Sequence, residues 1–200
     1  MEIYPAAPLP RFAYVAGRYY PTFGGSATAT IIAASDTIYL QPFMVMNSVT
    51  ADRLTVRVTT GQAGSSVKGA IYGTRTSGTG AGRPFGAPIS ADDTGVATTT
   101  SNANADLTIS APLSPGLLYW SAVKFTTSGT LPTCTSSLTT SRNNEVFIGR
   151  DMPSNASGSG AATGLSFAQA YATAFPTFDG SESWTIVTAA ALPITWIRAA

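Results

Sequence analysis

Two strand-like segments near the middle of the chain constrain its fold more than any other feature. In residues 53–60 (RLTVRVTT), three aliphatic side chains alternate with cationic or hydroxyl side chains. This period of two is typical of a strand with one apolar face and one polar face. Residues 117–125 (LLYWSAVKF) hold no polar side chain before Ser121 apart from the phenol of Tyr119, which predicts a strand at the centre of a core.

Shorter strands are predicted around these two at the spacing of sandwich and jelly-roll proteins. They span residues 36–45, 67–73, 96–100, 105–110, 131–138, 145–149, 183–187 and 193–198, with Trp184 and Trp196 facing inward. Together these segments predict an all-β fold, a β-sandwich of jelly-roll type.

The connections carry three further predictions. Residues 53–60 and 67–73 resemble an antiparallel hairpin closed by the turn at 61–64. Residues 74–88 are rich in glycine and are interpreted as a long loop at one end of the sandwich. Residues 165–174 are the helical candidate, although such a short helix is stable only when it is packed.

The N-terminal segment is rich in proline and aromatic residues, with four prolines in residues 1–23. Such a segment forms neither a helix nor the interior of a sheet. We therefore predict an extended attachment arm over residues 1–35 and a sandwich domain over residues 36–200. The arm is expected to lie along its own domain or in a groove of a neighbouring subunit. Its expected aromatic anchors are Tyr4, Phe12, Tyr19, Tyr20 and Phe23.

The composition argues against a nucleic-acid partner and favours association with identical subunits. Charged residues make up 10% of the chain, the net charge is +1, and Ser and Thr fill 50 of 200 positions. The basic patch expected of a nucleic-acid-binding protein is missing. A weakly charged subunit without internal disulfides suits burial against identical neighbours, and we expect a homotrimer.

The start of the sequence has neither a basic region nor a continuous apolar region of a signal peptide, and no segment has the length of a transmembrane helix. We expect folding in the cytoplasm of the producing cell, with neither secretion nor membrane insertion.

The inventory of reactive side chains argues against an enzyme. The sequence has no histidine, and its three glutamates and seven aspartates form no spaced pair typical of a catalytic dyad. Asp92 and Asp93 are adjacent, but they are interpreted as a turn because calcium requires more oxygen ligands. Cys134 is expected to be a small strand residue, since no histidine activates it. No catalytic, cofactor-binding or metal-binding residue is predicted.

Several motifs resemble the β-sandwich module of virion proteins of tailed bacteriophages. The motifs are YLQPF at 39–43, RLTVRVTTGQAG at 53–64, GAIY at 69–72, LSPGLLYW at 113–120 and the leader GRYYP at 17–21. The similarity covers residues 36–125 and rests on structural residues. It implies a sandwich fold and a virion setting in a fibre or surface protein, without naming a receptor.

These observations favour a non-enzymatic virion protein, made in the host cytoplasm, that attaches by its arm and presents loops to the host surface. Its expected partners are its own copies, other virion proteins, and a host glycan or protein. The alternative is a decoration or cement protein that stabilises the capsid or tail. A cellular carbohydrate-binding module fits poorly without an export signal.

Two separate groups of side chains are candidates for binding, one for a receptor and one for a small anion. Aromatic rings stack on sugars, although core or subunit packing is their commoner role. The receptor-facing candidates are Arg83, Phe85, Tyr171, Phe175 and Phe178. Arg53 and Arg57 share one strand face and are candidates for a small anion site; solvated or interface-paired arginines are the simpler interpretation.

Overall fold

The fold is described by a computed structural model for residues 13–22, 29–32, 34–78, 81–126, 129–136, 162–188 and 192–200. Within these ranges the chain forms twelve β-strands and no helix. The strands are β1 (Tyr19–Pro21), β2 (Ala29–Ile32), β3 (Thr37–Met44), β4 (Val49–Thr60), β5 (Ser66–Thr74), β6 (Pro84–Ala97), β7 (Ala103–Leu113), β8 (Leu118–Thr126), β9 (Thr133–Ser136), β10 (Ala162–Ala168), β11 (Thr185–Thr188) and β12 (Thr195–Ala199).

The strands form two antiparallel sheets that pack together. The first sheet has the order β1–β12–β4–β9–β2, and β7 also pairs with β4. The second sheet has the order β11–β10–β3–β8–β5–β6. This arrangement confirms the prediction of an all-β sandwich. It also confirms that the apolar strand β8 is central, because β8 lies between β3 and β5.

The main core lies between the sheets and follows from strand alternation. Leu54 and Val56 of β4 and Leu107 of β7 point inward from the first sheet. Val123 and Phe125 of β8 point inward from the second sheet. Each of these side chains is fully or almost fully buried. The apolar positions that alternate in residues 53–60 are therefore the ones on the inner face of the first sheet.

A second core covers the outer face of the second sheet. Trp120 and Ala122 of β8 face this side, opposite to Val123. They pack beneath the segment of residues 169–180, which we call the covering segment, through Phe175 and related side chains. Because the second sheet is covered on both faces, β8 is buried at nearly every position instead of at alternate ones.

The covering segment is attached to the second sheet by backbone and side-chain hydrogen bonds. Gly86 of β6 and Phe178 exchange two backbone hydrogen bonds of 2.8 and 3.0 Å. The Tyr72 hydroxyl of β5 donates to the Pro176 carbonyl at 2.8 Å. These contacts hold the covering segment across the sheet as far as its edge strand.

Side chains join the two sheets along one edge. The Thr108 amide of β7 donates to an Asp92 carboxylate oxygen of β6 at 2.8 Å, and the Ser110 amide donates to Ser90 Oγ at 2.9 Å. Asp92 also caps a bulge at residues 93–95 within β6. The expected turn between two strands is therefore wrong, because β6 continues through this bulge to Ala97.

The hairpin predicted for residues 53–73 is also wrong. β4 belongs to the first sheet and β5 to the second, so residues 61–65 cross between the sheets. Both strands direct apolar side chains into the same core. They do so from opposite sheets that pack face to face, and not as hydrogen-bonded neighbours within one sheet.

Two connections differ from their predictions for a related reason. Residues 165–168 end the strand β10, which pairs with β3 and β11, so the predicted helix is absent from residues 165–174. The predicted loop at 74–88 is limited to residues 75–83, because β6 begins at Pro84 and pairs with β5. In both cases pairing with neighbouring strands satisfies the backbone hydrogen-bonding groups, which an isolated short helix or loop does less well.

Part of the segment predicted as an arm belongs to the sandwich. β1 and β2 lie within residues 1–35, and both are strands of the first sheet. Residues 1–12 and the predicted strand at 145–149 lie outside the described residues.

Candidate functional site

The outer face of the first sheet carries a half-buried aromatic side chain, Trp196. Thr195 and Ile197 of β12 point into the core, so Trp196 points to the opposite face and is half-buried. The expectation that Trp196 faces inward is therefore wrong. The sequence holds the signal for the correct orientation, because Trp196 and Arg198 are two residues apart and share one face of the strand.

An open cleft surrounds Trp196, and we call it the outer-face cleft. Its volume is about 220 Å³, and four neighbouring strands supply its lining residues. The lining residues are Tyr19, Thr55, Arg57, Asn104 and Trp196. Their positions follow from strand pairing, since Thr55 lies opposite Trp196 across β4 and β12, and Arg57 lies opposite Asn104 across β4 and β7.

A hydrogen-bonded network supports the cleft. Thr55 Oγ1 donates to one oxygen of Asp106 at 2.6 Å, and the Tyr19 hydroxyl donates to the other oxygen at 3.1 Å. Thr55 is 3% exposed although it lies on the outer face, so it forms part of the floor. The network connects β1, β4 and β7 and fixes the ring of Tyr19 over the sheet.

The arginines near the cleft differ in how their charges are balanced. Arg198 forms a bidentate ion pair with Asp52, with distances of 2.9 and 2.6 Å, and this contact lowers the pKa of the Asp52 carboxyl. Arg57 donates from Nη1 to the neutral Asn104 side chain at 3.2 Å. Within the described residues Arg57 forms no ion pair with a carboxylate, and the Asp106 carboxylate nearby is bound by the hydroxyls of Thr55 and Tyr19.

A second exposed surface lies at one end of the sandwich, and we call it the apolar end. It includes an open cleft of about 790 Å³ beside residues 13–14, 47–50 and 199–200. The exposed fractions of nearby apolar side chains are 54% for Val15, 44% for Met44, 70% for Met46 and 50% for Leu117. Exposed apolar side chains grouped in this way are typical of a contact surface.

Two of the predicted arm anchors lie on the chain's own sheet. Tyr19 and Tyr20 belong to β1, which pairs with β12. Tyr20 packs against the main core, and its ring contacts Tyr14 at 4.7 Å between centroids. The other predicted anchors, Tyr4, Phe12 and Phe23, lie outside the described residues.

The structure separates the predicted receptor-facing aromatics into buried and exposed groups. Phe175 and Phe178 are 7% and 1% exposed and belong to the second core, which corrects the expectation that they face a receptor. Tyr171 is half-buried, and its hydroxyl contacts Ser66 at 2.7 Å. Phe85 remains exposed on β6.

Phe85 and Arg83 lie beside the loop at 75–83. Arg75 stacks over the Phe85 ring at 5.1 Å from the centroid. Arg83 is half-buried, and its Nη1 has no hydrogen-bond partner within the described residues. Thr74, which precedes the loop, donates to the Leu118 carbonyl at 2.7 Å, so this loop lies at the same end as the turn before β8. That turn helps to form the apolar end.

Two buried reactive groups serve packing. The Cys134 thiol is fully buried in β9, and burial raises its pKa to about 12, which confirms the expectation of a small strand residue. The Lys124 amine is buried beneath the covering segment, where it donates to Gln169 Oε1 at 3.1 Å and to the Thr173 carbonyl. Burial, with the nearby charge of Lys68, lowers the pKa of Lys124 to about 8.

Among the described residues, no group of three or more His, Cys, Asp or Glu side chains is arranged to hold a metal ion. Over the same part of the chain, no helix has the length and hydrophobicity required to cross a membrane. Comparison with protein-family models and with curated proteins gives no match.

Proposed function

We propose that the protein is a non-enzymatic component of a bacteriophage virion, a fibre or surface protein that binds the host surface. The outer-face cleft carries this proposal. Trp196 and Tyr19 provide aromatic faces, and Arg57 and Asn104 provide polar groups, within a cleft built on paired strands. Aromatic rings beside a few fixed polar groups are typical of ligand-binding surfaces. The resemblance of residues 36–125 to phage virion modules supports the virion setting.

The position of the apolar end supports attachment through the N-terminal segment. Residues 13–15 lie at this end, where the Tyr14 hydroxyl accepts a hydrogen bond from the Met46 amide at 3.2 Å. The start of the described chain therefore lies beside an exposed apolar surface. In this proposal the apolar end faces the particle and the outer face of the first sheet remains accessible.

A decoration or cement role is the second candidate, and the apolar end favours it. Met46 is 70% exposed and Leu117 is 50% exposed, which fits a surface that becomes buried against another virion subunit. In this role the protein stabilises the particle without contacting a host cell.

Binding to cells and binding to particles distinguish the two roles. Fluorescently labelled protein is added to a panel of bacterial strains and, separately, to virions assembled without it. Saturable binding to a strain, weakened by Trp196→Ala, supports host-surface binding. Stoichiometric binding to virions, without binding to any strain that the phage infects, supports the cement role. Binding to neither contradicts the proposed virion function.

A further inference from the structure

We infer that the outer-face cleft binds an acidic saccharide, with a sugar ring against Trp196 and a carboxylate on Arg57. This inference rests on the proposed function, because it names the class of host-surface ligand. It concerns the residues Tyr19, Thr55, Arg57, Asn104 and Trp196 that line the cleft.

The charge of Arg57 is the first argument. A guanidinium has five N–H donors in a planar fork that matches a carboxylate. One nitrogen, Nη1, donates to Asn104 Oδ1 at 3.2 Å, and within the described residues no carboxylate pairs with Arg57. The remaining donors are available to a bidentate anion, and a charge-assisted pair of this kind is stronger than a neutral hydrogen bond.

The partners of the neighbouring charged groups leave Arg57 as the group that can hold an anion. Arg198 is already neutralised by Asp52, so it does not compete for a ligand carboxylate. Both oxygens of Asp106 accept hydrogen bonds, one from Thr55 and one from Tyr19. Asp106 keeps its negative charge beneath these two hydroxyls, and Arg57 is the charged residue among those described that line the cleft itself.

The aromatic lining favours a sugar as the carrier of the carboxylate. Trp196 lies on β12 between β1 and β4, and the pairing on both sides holds its backbone rigidly. The Tyr19 ring is held by its hydrogen bond to Asp106 and by Arg198, whose guanidinium carbon lies 5.9 Å from the ring centroid. Aromatic rings offer apolar faces to the C–H groups of a pyranose, and the contacts that fix the Tyr19 ring lower the entropic cost of binding there.

The size of the cleft limits the ligand to about one sugar ring. Its volume of about 220 Å³ is smaller than the pockets of about 300 Å³ or more that hold drug-sized ligands. The cleft is open, so neighbouring sugars of an oligosaccharide extend over the sheet. An uncharged sugar fills the same space but leaves Arg57 partly desolvated without a partner, which lowers its affinity.

Titration with matched oligosaccharides tests the inference. The ligands are oligogalacturonate, oligomannuronate and oligomers of sialic acid, each compared with its carboxyl-reduced counterpart by calorimetry and tryptophan fluorescence. We expect at least one acidic oligosaccharide to bind, with its carboxyl-reduced form at least tenfold weaker. Arg57→Gln is expected to weaken the binding at least tenfold, and Trp196→Ala to abolish it.

Arg53→Gln is the matched control. Arg53 lies on the same strand and the same face as Arg57, carries the same charge and does not line the cleft. We expect this variant to bind within twofold of the unchanged protein. The inference is overturned if no acidic oligosaccharide binds, if the reduced forms bind equally well, or if the two arginine variants behave alike.

The inference and the proposed function fail in different ways. If the labelled protein binds cells and Arg57→Gln leaves that binding unchanged, the inference is wrong and the host-binding function stands. If an acidic oligosaccharide binds the cleft but the protein binds neither cells nor virions, the cleft assignment stands and the virion function is wrong.

Discussion

The hydroxyl of Tyr19 donates a hydrogen bond of 3.1 Å to the carboxylate of Asp106, a residue 87 positions later in the chain. Tyr19 lies on β1 and Asp106 on β7, and the paired strands β12 and β4 separate them. The Tyr19 side chain therefore crosses the outer face of the first sheet. This contact ties the start of the described chain to the hydrogen-bonded network that supports the outer-face cleft.

Removing the Tyr19 hydroxyl is expected to destabilise the protein slightly. Tyr19→Phe loses a hydrogen bond to a charged acceptor, but the residue is exposed enough for water to replace part of it. We expect a loss of less than about 1 kcal/mol in the free energy of unfolding, measured by urea denaturation. A double-mutant cycle with Asp106→Ala should give a favourable coupling energy. Zero coupling would show that the contact does not form.

Exchanging Lys124 for methionine is expected to change how stability depends on pH. The pKa of Lys124 is about 8 in the folded protein because of burial and the nearby Lys68, compared with an ordinary value of 10.5. Between these values the unfolded chain binds more protons than the folded protein, so this group's contribution to stability increases as pH rises. Relative to Lys124→Met, the unchanged protein should gain up to about 3 kcal/mol from pH 7.5 to 10.5.

The comparison with Lys124→Met isolates this effect from opposing titrations. Burial raises the pKa of Cys134 to about 12 and also raises the pKa of Tyr72, so both groups reduce stability at high pH. Cys134 and Tyr72 are present in both the unchanged protein and Lys124→Met, so their contributions cancel when the two free energies of unfolding are subtracted. Parallel curves of unfolding free energy against pH would contradict the prediction.

Truncating Phe178 is expected to cost far more stability than truncating Phe85. Phe178 is 1% exposed, and its ring lies 4.7 Å from both Tyr72 and Trp184. Phe178→Ala should cost about 3–5 kcal/mol through a cavity in the second core. Phe85 is 41% exposed, so Phe85→Ala should cost less than about 1 kcal/mol. Both losses are measured by thermal and urea unfolding. Equal losses for Phe178→Ala and Phe85→Ala would show that the second core adds little to the stability of the protein.

Adding a methyl group at Gly69 is expected to overpack the main core. A Cβ atom at Gly69 would lie 2.5 Å from Leu107 Cδ1 and 2.9 Å from Leu54 Cδ2. Gly69→Ala should cost about 1–3 kcal/mol in the free energy of unfolding. Gly73 lies on the same strand with no atom within 4 Å of its added Cβ, so Gly73→Ala is the matched control. Equal stability of both variants would contradict close packing of the two sheets at Gly69.

Much of the strand content was predictable from local pattern. The alternation in residues 53–60 matches β4, and the apolar run at 117–125 matches β8. Side chains of a strand point to alternate faces, so the polarity of each face can be read from every second residue of the sequence. Of the cleft residues, Arg57 was recognisable as outward-facing from this pattern.

The covering segment was harder to predict. Residues 169–174 (QAYATA) carry no clear strand signal, and Phe175 and Phe178 follow them among small and polar residues. The local sequence does not indicate that these two rings pack on the outer face of the second sheet. Their burial depends on contacts with Tyr72 and with β6, which lie about a hundred residues earlier in the chain.

The local sequence of this protein determined where strands form and which face of β4 is polar, because both depend on neighbours two positions apart. The tertiary structure decided which strands pair, and therefore that Tyr19, Arg57 and Trp196 meet in one cleft. It also decided that β4 and β5 lie in different sheets. These outcomes depend on burying apolar faces from distant segments against one another, and that free energy is a property of the whole assembly of strands.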